Sequence, residues 1–420
     1  MFCFMFCGSP WGIVFLWLSC SELALAQPSA WPQFRGPTGQ GVVRDISLPT
    51  AWSEKENVAW KTRIPGLGHS SPVHDGQTVW LTTATVDGRK LQAVSVDLTT
   101  GTLQKEITIF EPDEIEEIHQ DNSYASPTPV LKNGRMYAHF GTYGTACLDC
   151  TSGEILWKNN DFPVEHQGGP GSSPVVFEDL LILTLDGAQK QRVVALDLAD
   201  GSVRWERKRS ASFRANPITH RAFSTPLLHE FDGQTLLISP GADQCHAYDA
   251  RTGEEVWHVT YTGFSNVPSP VAVGDVTIFC TGFFKPELCA VHLGGIGNVS
   301  TTQKAWDFRG TVPDVPSPIL VGEQVVIVSD DGIVTSVDLE SGERNWGLRI
   351  GGNVSASPIY ANKLLYFCTE EGLTKIVDPH AERPKLVRVN RLDGQIMASP
   401  AVVEEDLLIR TTTSLYRIQH

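Results

Sequence analysis

Polar side chains able to bind ligands are concentrated in the segments just ahead of recurrent Ser-Pro and Thr-Pro pairs. They are His69, His119, Asp121, Asn122, His166, Arg214, Asn216, His220, Arg221, Asn266 and Asn353. Imidazole, carboxylate, amide and guanidinium groups can together coordinate a metal or grip an anionic or sugar-like ligand. The same residues are ordinary in solvated loops, where histidines cap turns. The pattern leaves both interpretations open and identifies no metal.

Two further groups of residues have types that could carry chemistry. Cys147-Leu-Asp-Cys150 has the spacing of redox and zinc sites, but no second cysteine pair or nearby histidine pair accompanies it, which favours a structural role. The acidic run from Glu111 to Glu117 is either a docking arm for a basic partner or divalent cation, or a solvated insertion. No Ser-His-Asp order, phosphate loop or His-Glu-x-x-His motif is present, so hydrolase and kinase functions have no residues to support them.

The elements that must position these residues follow from an internal repeat. A Ser-Pro or Thr-Pro pair followed by apolar residues occurs eight times, with the prolines at Pro72, Pro129, Pro174, Pro226, Pro270, Pro318, Pro358 and Pro400. Their mean spacing of about 47 residues is typical of a β-propeller blade. Proline at the head of the first strand indicates an innermost strand beside a central channel, because an edge strand can forgo a ladder donor.

Each unit predicts four short strands, and the third and fourth are joined by Asp-x-x-x-Gly. The aspartate can accept hydrogen bonds from the turn amides, and the glycine can take a positive φ. In the best copies a tryptophan follows four residues later, where it can pack against the neighbouring blade. The tryptophans predicted to dock in this way are Trp60, Trp157, Trp205, Trp257, Trp306 and Trp346.

The two ends of the chain complete each other. The last unit supplies only three strands before His420, and residues 58–62 have the sequence of an outer strand without a unit. Pairing these fragments closes a ring and buries its final edge. We therefore predict an all-β fold with a single eight-bladed propeller of four-stranded blades over residues 58–420. An N-terminal strand closes its ring, and a lead-in arm over residues 27–57 precedes it.

Residues 1–26 are predicted to be a secretory signal peptide. The apolar stretch from Trp11 to Leu18 is too short to span a membrane and is followed by the cleavage pattern Ala24-Leu25-Ala26. The surroundings of Cys20 only weakly resemble a lipoprotein site, so ordinary cleavage is favoured over lipidation. We expect an exported protein, periplasmic or associated with the outer membrane, with no transmembrane segment in the mature chain.

Composition indicates a large folded chain and excludes one class of partner. The 420 residues are 41% hydrophobic and 19% charged, with 37 glycines and 26 prolines, as expected for a globular protein rich in turns. The formal net charge is −15. Binding to a phosphate backbone needs a cationic face, so we expect no nucleic acid partner.

The Ser-Pro-led strands and the four full Asp-x-x-x-Gly-x-x-x-Trp copies resemble the repeats of the pyrroloquinoline-quinone-like (PQQ-like) propellers. These copies begin at Asp149, Asp197, Asp249 and Asp338. Within that group the chain is similar to the outer-membrane assembly lipoprotein BamB and its relatives. Trp31-Pro-Gln-Phe-Arg-Gly-Pro is similar to the opening of BamB-like secreted propellers of planctomycete bacteria. The resemblance implies the fold and export, but it does not imply an activity.

Two branches of the PQQ-like propellers differ in chemistry. Quinoprotein dehydrogenases hold PQQ over a calcium ion, and many have an adjacent Cys-Cys pair that this chain lacks. BamB-like proteins carry no cofactor and serve as binding platforms. We therefore expect no cofactor, protein partners at the cell envelope and, for any small ligand, a site at the channel mouth. The alternatives are a quinone- or metal-dependent oxidoreductase that uses the same polar loops, and a sugar-binding module that uses Tyr124, Phe223 and Phe264.

Overall fold

The computed structural model describes residues 30–420, whose strands form eight sheets arranged around a central channel. Six sheets have four strands, and two have a fifth strand added. The predicted all-β, eight-bladed propeller is confirmed. The predicted signal peptide lies outside the described residues. Within residues 30–420, no helix has the length and apolar character needed to cross a membrane.

The strands are numbered in chain order, and each blade runs from its innermost to its outermost strand. β1 (Val42–Val43) and β2 (Val58–Arg63) precede the first complete blade. Blade 1 has β3 (Val73–His74), β4 (Thr78–Ala84), β5 (Leu91–Asp97) and β6 (Leu103–Phe110). Blade 2 has β7 (Val130–Lys132), β8 (Arg135–His139), β9 (Thr145–Asp149) and β10 (Ile155–Asn159). Blade 3 has β11 (Val175–Phe177), β12 (Leu180–Asp186), β13 (Gln191–Asp197) and β14 (Val203–Lys208). Blade 4 has β15 (Leu227–Phe231), β16 (Gln234–Pro240), β17 (Gln244–Asp249) and β18 (Glu255–Thr260).

The second half of the ring repeats this pattern. Blade 5 has β19 (Val271–Val273), β20 (Val276–Cys280), β21 (Leu288–His292) and β23 (Lys304–Phe308), and its β22 (Gly297–Asn298) pairs with blade 4. Blade 6 has β24 (Ile319–Val321), β25 (Gln324–Val328), β26 (Ile333–Asp338) and β27 (Arg344–Arg349). Blade 7 has β28 (Ile359–Ala361), β29 (Leu364–Cys368), β30 (Leu373–Asp378) and β31 (Lys385–Arg391). Blade 8 has β32 (Ala401–Val403), β33 (Asp406–Arg410) and β34 (Ser414–Ile418), completed by β2. Short 3-10 helices lie at Gly141–Tyr143 and Pro217–His220.

Blade 8 closes the ring by combining both ends of the chain. β2 pairs antiparallel with β34, so that Trp60 lies opposite Arg417 and Lys61 opposite Tyr416. This is the closure that the orphan strands predict. Because the N-terminal strand takes the outermost position of the last sheet, blade 8 has four strands like the other blades. The ring is closed without exposing the edge of an incomplete blade.

Burial along the strands explains their sequence patterns. In blade 3 all seven residues of β12 are buried, because both faces of a middle strand pack against neighbouring blades. The outer strand β14 is exposed at most positions and buries Trp205. Continuous apolar runs therefore mark middle strands, and a single aromatic residue marks the outer strand.

A ring of hydroxyl groups joins the inner strands and explains the repeated Ser-Pro and Thr-Pro pairs. At six of the eight junctions in the described chain, the backbone N–H of the residue before proline donates to a hydroxyl of the next blade, at 2.8–3.0 Å. The accepting residues are Thr128, Ser173, Thr225, Ser317, Ser357 and Ser399. The junctions between blades 4 and 5 and between blades 8 and 1 lack this bond among the described residues.

The turn between the third and fourth strands of a blade receives the tryptophan of the preceding blade. Gly201 has a φ of +74°, and a Cβ there would lie 2.6 Å from the ring of Trp157. The Nε1 of Trp157 donates to the carbonyl of Leu198 at 3.1 Å. The same close approach joins Trp60 with Gly101, Trp205 with Gly253 and Trp306 with Gly342. Glycine is required because any side chain would occupy the space of the indole.

Residues 31–43 are part of the predicted lead-in arm and are called the arm from here on. They cross the channel at the end where the first strand of each blade turns into the second. Trp31 exchanges two main-chain hydrogen bonds with His74, each 2.9 Å long. The Nη2 of Arg35 donates to the carbonyl of Pro318 at 2.6 Å. β1 then pairs in parallel with the innermost strand of blade 7, β28. The arm therefore lies inside the ring and narrows one end of the channel.

Candidate functional site

Two kinds of loop meet at the other end of the channel, which we call the rim. One kind leads from the outer strand of a blade to the inner strand of the next, and the other joins the second and third strands. Isolated bridges connect the two kinds, as between Phe264 and Phe283. All eleven residues predicted to bind a ligand lie on loops of the first kind. The structure therefore gathers them at one end, and their contacts show which side chains face solvent.

Asn122 and His69 hold neighbouring rim loops together. The Nδ2 of Asn122 donates to the carbonyl of Gly168 at 2.7 Å, and the backbone N–H of His69 donates to the carbonyl of Ala125 at 3.2 Å. Burial, assisted by the charge of Arg410, lowers the pKa of His69 to about 4. Its imidazole is therefore neutral at pH 7, and the amide of Asn122 serves the backbone of the next loop.

His119 and Asp121 are exposed to solvent. The Nδ1 of His119 lies 3.4 Å from a carboxylate oxygen of Asp121, and their side chains are 65% and 69% exposed. A pair so exposed contributes little to stability, because water and salt screen it. Within the acidic run, burial and the charge of Glu165 raise the pKa of Glu116. This segment is the part of the predicted site most accessible to a solute.

His166 is the most deeply buried of the predicted histidines, with 4% of its surface exposed. Neither ring nitrogen has a hydrogen-bond partner among the described residues. The ring packs against Phe223 with 6.0 Å between centroids, and the main-chain carbonyl accepts from the Nη1 of Arg221 at 3.2 Å. Burial and the charge of Arg221 lower the pKa of His166 to about 4. The imidazole is therefore neutral at pH 7 and buried.

Arg214, Asn216 and His220 build their own loop. The guanidinium of Arg214 donates two hydrogen bonds to Asp243, both at 2.9 Å. The Nε2 of His220 lies 2.6 Å from the carbonyl of Arg214. The side chain of Asn216 caps the 3-10 helix Pro217–His220. These polar groups are therefore already engaged, Arg214 with the β16–β17 loop of blade 4 and the other two within the loop between blades 3 and 4.

Asn266 and Asn353 lie in different surroundings. Asn266 is buried, and its Nδ2 donates to the hydroxyl of Tyr261 at 3.0 Å and to the carbonyl of Cys280 at 3.1 Å. Asn353 is exposed and borders a separate cavity of about 350 Å³, whose lining includes Glu371 and Arg391. Asn353 lies on the loop between blades 6 and 7, apart from the other ten predicted residues. Those ten lie on the successive loops that lead from blade 8 through blades 1 to 4 and on to blade 5.

A buried ion pair between Arg209 and Asp186 lies beneath the rim and was missed by sequence reasoning. Two hydrogen bonds of 2.7 Å join them, and their side chains are 0% and 2% exposed. The Nη2 of Arg209 also donates to the hydroxyl of Ser239 at 2.7 Å. Burial raises the pKa of Asp186, against the opposing charge of Arg209. Two residues of opposite charge 23 positions apart carry no motif that would have marked them.

A pair of carboxylates on the rim of blade 6 was also missed. The backbone amides of Asp314 and Val315 donate to the carboxylate of Asp330 at 2.8 and 3.1 Å. The Oδ1 of Asp314 is buried without a partner among the described residues. Burial and the charge of Asp330 raise the pKa of Asp314 to about 6. The two carboxylates can share a proton near neutral pH. Their described contacts are with backbone amides and include no second catalytic group, neither a nucleophile nor a general base.

The cysteines of residues 30–420 provide no reactive thiol pair. Cys147 and Cys150 are free, and burial raises the pKa of their thiols to about 11 and about 12. Cys289 lies with Glu287 and Asp307 in a group whose ligand atoms are within 4.8 Å of one another. Two cations already neutralise these carboxylates: Lys304 is 2.5 Å from Asp307, and Arg309 is 2.8 Å from Glu287. This arrangement accounts for the cluster without a metal.

Three phenylalanines form an aromatic patch at the edge of the rim. Phe264 is 6% exposed and lies below Phe283 and Phe284, which are 48% and 72% exposed. The three ring centroids are 5.0 to 5.7 Å apart. Phe284 has a φ of +89°, a conformation that bulky residues rarely adopt. The guanidinium of Arg214 lies 5.2 Å from the ring centroid of Phe264. We call Phe264, Phe283 and Phe284 the phenylalanine patch.

Comparison with known families agrees with this architecture. The sequence matches the family model of outer membrane protein assembly factor BamB over residues 47–207, 126–231 and 219–419. The chain belongs to this family. No curated protein matches the chain significantly.

Solved structures share the fold at low sequence identity. BamB from Moraxella catarrhalis is 14% identical with a TM-score of 0.54, and the match covers 80% of this chain and 95% of that one. A quinohemoprotein alcohol dehydrogenase from Comamonas testosteroni is 12% identical with a TM-score of 0.64, covering 93% and 80%. A europium-containing methanol dehydrogenase is 13% identical with a TM-score of 0.56, covering 91% and 89%. At these identities the similarity shows the fold alone, and the fold is shared by binding proteins and oxidoreductases.

Proposed function

We propose that this protein is an exported, non-enzymatic binding scaffold of the cell envelope that holds a protein partner at its rim. Membership of the BamB family supports both the scaffold role and the location. The predicted signal peptide over residues 1–26 is consistent with export. The phenylalanine patch is the observation that carries the proposal.

The patch has the properties of a protein-binding surface. Phe283 and Phe284 are adjacent in sequence and expose large parts of their rings, whereas Phe264 beneath them is buried. Exposing a contiguous aromatic surface to water costs free energy, and a partner that covers the surface recovers this free energy. Aromatic side chains with an arginine beside them, here Arg214, are enriched at the centres of interfaces. The positive φ of Phe284 is a strained conformation of the kind found at functional sites.

The alternative of a quinone-dependent oxidoreductase fits the rim poorly. PQQ carries carboxylates that need unengaged cations, and a calcium ion below it needs free oxygen ligands. Arg214 is already paired with Asp243, and Arg209 with Asp186. The carboxylate of Asp330 accepts two backbone amides. These engaged groups do not form a set that fits the cofactor, and we derive no reaction through it.

The aromatic residues expected for a sugar-binding module are largely used within the fold. The hydroxyl of Tyr124 donates to the carbonyl of Glu116 at 2.9 Å, and Phe223 packs against His166. The third aromatic residue, Phe264, is covered by the exposed pair of the patch. In the part of the chain that the structure describes, no contact specifically favours a sugar at the rim.

Site-specific photo-crosslinking in cells that express the full chain tests the scaffold proposal. A benzophenone amino acid placed at Phe284 is expected to crosslink one or a few envelope proteins. The additional substitution Phe283→Ser is expected to abolish those products. The matched control is the same amino acid at Ile296, which is 88% exposed on the loop between β21 and β23, at the opposite face.

Two results would contradict the proposal. Equal crosslinking patterns from positions 284 and 296 would mean that the patch has no specific partner. Reconstitution with PQQ and calcium that gives alcohol or sugar oxidation well above the protein-free control would favour the oxidoreductase. Fractionation of the same cells checks the location independently, since a scaffold of the envelope must leave the cytoplasm.

A further inference from the structure

The inner strands of most blades have main-chain groups that the arm satisfies. In blades 2, 5 and 7 the inner strand has three residues and is followed by a two-residue turn. Because hydrogen-bonded and non-hydrogen-bonded pairs alternate along the hairpin, the N–H of the middle strand residue points into the channel. The amide of Leu131 donates to the carbonyl of Pro32 at 2.7 Å, and that of Tyr360 to the carbonyl of Gly41 at 3.1 Å. The amide of Ala272 donates to the side chain of Gln40 at 2.9 Å. The channel of this protein therefore already accepts extended chain along its inner edges.

The inner edges of blades 3 and 4 differ from these. The same alternation directs the main-chain groups of Val176 on β11, and of Leu228 and Glu230 on β15, into the channel. Among the described residues no hydrogen bond reaches these three amides. β15 is also the longest inner strand, with five residues against two or three in the others. A length of sheet edge is thus left open on one side of the channel.

A cavity of about 390 Å³ lies between the arm and these open edges. Its lining includes Phe34 and Thr38 of the arm together with Val176, Leu228, Glu230 and Ser269. The hydroxyl of Ser269 is buried without a partner, at the junction of blades 4 and 5 where the hydroxyl ring is interrupted. An unsatisfied buried hydroxyl and open edge amides are donors and acceptors suited to a peptide backbone.

We infer that this cavity binds a short extended peptide of a partner protein, which pairs with β15 as an added strand. β1 on β28 shows the same mode of addition within the channel. Phe34, Val176 and Leu228 provide apolar contacts, and the exposed carboxylate of Glu230 favours a basic residue. The formal net charge of −15 also favours a basic partner. The inference does not depend on the phenylalanine patch, which lies at the rim.

Peptide binding to the full mature chain tests the inference. The probe is a positional-scanning library of acetylated and amidated pentapeptides, followed by calorimetry with the best sequence. Pools with lysine or arginine at one position are expected to bind, and Glu230→Gln is expected to weaken that preference. N-methylation of one central amide of the best peptide is expected to weaken binding by about tenfold, because it removes a main-chain donor and leaves every side chain unchanged.

Two matched variants place the site. Thr38 is exposed at the edge of the cavity, so Thr38→Trp is expected to obstruct it and weaken peptide binding by about tenfold or more without disturbing the core. Thr301→Trp makes the same change at an exposed position outside the cavity and is expected to leave binding unchanged. The Phe283→Ser/Phe284→Ser variant is expected to keep full peptide affinity, which separates this site from the rim.

Several results would overturn the inference. They are the absence of binding by every pool, equal affinity for the N-methylated peptide, and binding that Thr38→Trp does not alter. Glucose and N-acetylglucosamine are tested in parallel. Binding of either sugar that is lost in Thr38→Trp would make the cavity a sugar site and would also overturn the peptide assignment.

Discussion

The rim and the opposite face of the ring are built in different ways. We call the opposite face, where the first strand turns into the second and the third into the fourth, the turn face. On the turn face, one arrangement recurs, in which a glycine of positive φ receives the indole of the preceding blade, as Gly201 receives Trp157. On the rim, each junction has its own contact, such as Asn122 with Gly168 or Arg221 with His166. Repeated contacts on one face hold the ring together and leave the loops of the other face free to specialise.

An exception on the turn face shows how the repeat works. The turn of blade 7 has Glu382 where the repeat has glycine. Trp346 of the preceding blade then turns its Nε1 to the side chain of Gln324 in its own blade, at 3.2 Å. In contrast, the Nε1 of Trp306 donates to Leu339 of the next blade at 3.0 Å. At this junction the missing glycine is accompanied by the loss of the hydrogen bond from the indole to the next blade. Trp257 keeps that bond, to the carbonyl of Leu293, although no glycine of blade 5 contacts its ring.

The largest expected effect separates a docked tryptophan from an undocked one. Trp257 is fully buried and its Nε1 donates to the carbonyl of Leu293 at 2.9 Å. We expect Trp257→Ala to lower the free energy of unfolding by about 3 to 5 kcal/mol, the usual cost of removing a large buried aromatic side chain. Trp346→Ala is the control, with a smaller loss, because its ring is half-buried. Urea denaturation measures both, and equal losses would refute the contrast between the two contacts.

The buried ion pair of the rim provides the next largest effect. Arg209→Met leaves the carboxylate of Asp186 buried without its cation, so we expect a loss of about 3 kcal/mol in the free energy of unfolding. Arg214→Met is the control. That arginine is 37% exposed, so a loss of about 1 kcal/mol or less is expected. Chemical denaturation at pH 7 compares them. If the double variant Asp186→Leu/Arg209→Met is no more stable than Arg209→Met, the unpaired carboxylate is not the cause.

The regular parts of this molecule could be predicted from sequence, because each repeats a local pattern. Ser-Pro pairs, alternating apolar residues and Asp-x-x-x-Gly turns predicted eight blades of four strands. The incomplete ends predicted the pairing of Trp60 with the last blade, and the register places it opposite Arg417. These signals are local, so no distant contact has to be known to interpret them.

The rim and the arm could be predicted only in part, because their contacts join distant residues. The sequence located the polar loops, but it could not show that Asn122 serves the backbone at Gly168 or that His166 is buried. Arg35 reaches Pro318 across 283 positions, and no pattern marks the pair. The exposure of Phe284 depends on the packing of Phe264 below it. Whether these side chains bind a partner remains a prediction.

A buried histidine of the rim should make stability depend on pH. The pKa of His166 is about 4 in the folded chain, against an ordinary value of 6.5, so only the unfolded chain takes up a proton between these values. Stability from this residue is complete above pH 6.5 and is lost as the pH falls towards 4. When the pH falls from 7 to 5, the free energy of unfolding of His166→Gln is expected to decrease by about 2 kcal/mol less than that of the parent.

The turn-face counterpart of this experiment is His74. Burial also lowers the pKa of His74, but its Nε2 is hydrogen-bonded to the carbonyl of Val402 at 2.8 Å, which opposes the shift. His74→Gln should therefore change the pH dependence less than His166→Gln does. Denaturation at pH 5, 6 and 7 measures the slopes, and a parent slope equal to that of His166→Gln would show that His166 is not the proton acceptor.

The smallest effect tests the hydroxyl ring at an intact and at an interrupted junction. The Oγ of Ser357 accepts the amide of Ser317 at 3.0 Å, so Ser357→Ala should cost about 1 kcal/mol in the free energy of unfolding. The Oγ of Ser269 is buried without a partner, so Ser269→Ala should be neutral or slightly stabilising, since it removes an unsatisfied polar atom. Thermal or urea denaturation resolves the difference in sign. A loss at Ser269 equal to that at Ser357 would mean that its hydroxyl is already satisfied within the fold. If Ser269→Ala leaves stability unchanged but weakens pentapeptide binding, the interruption of the ring belongs to the cavity and not to an irregularity of packing.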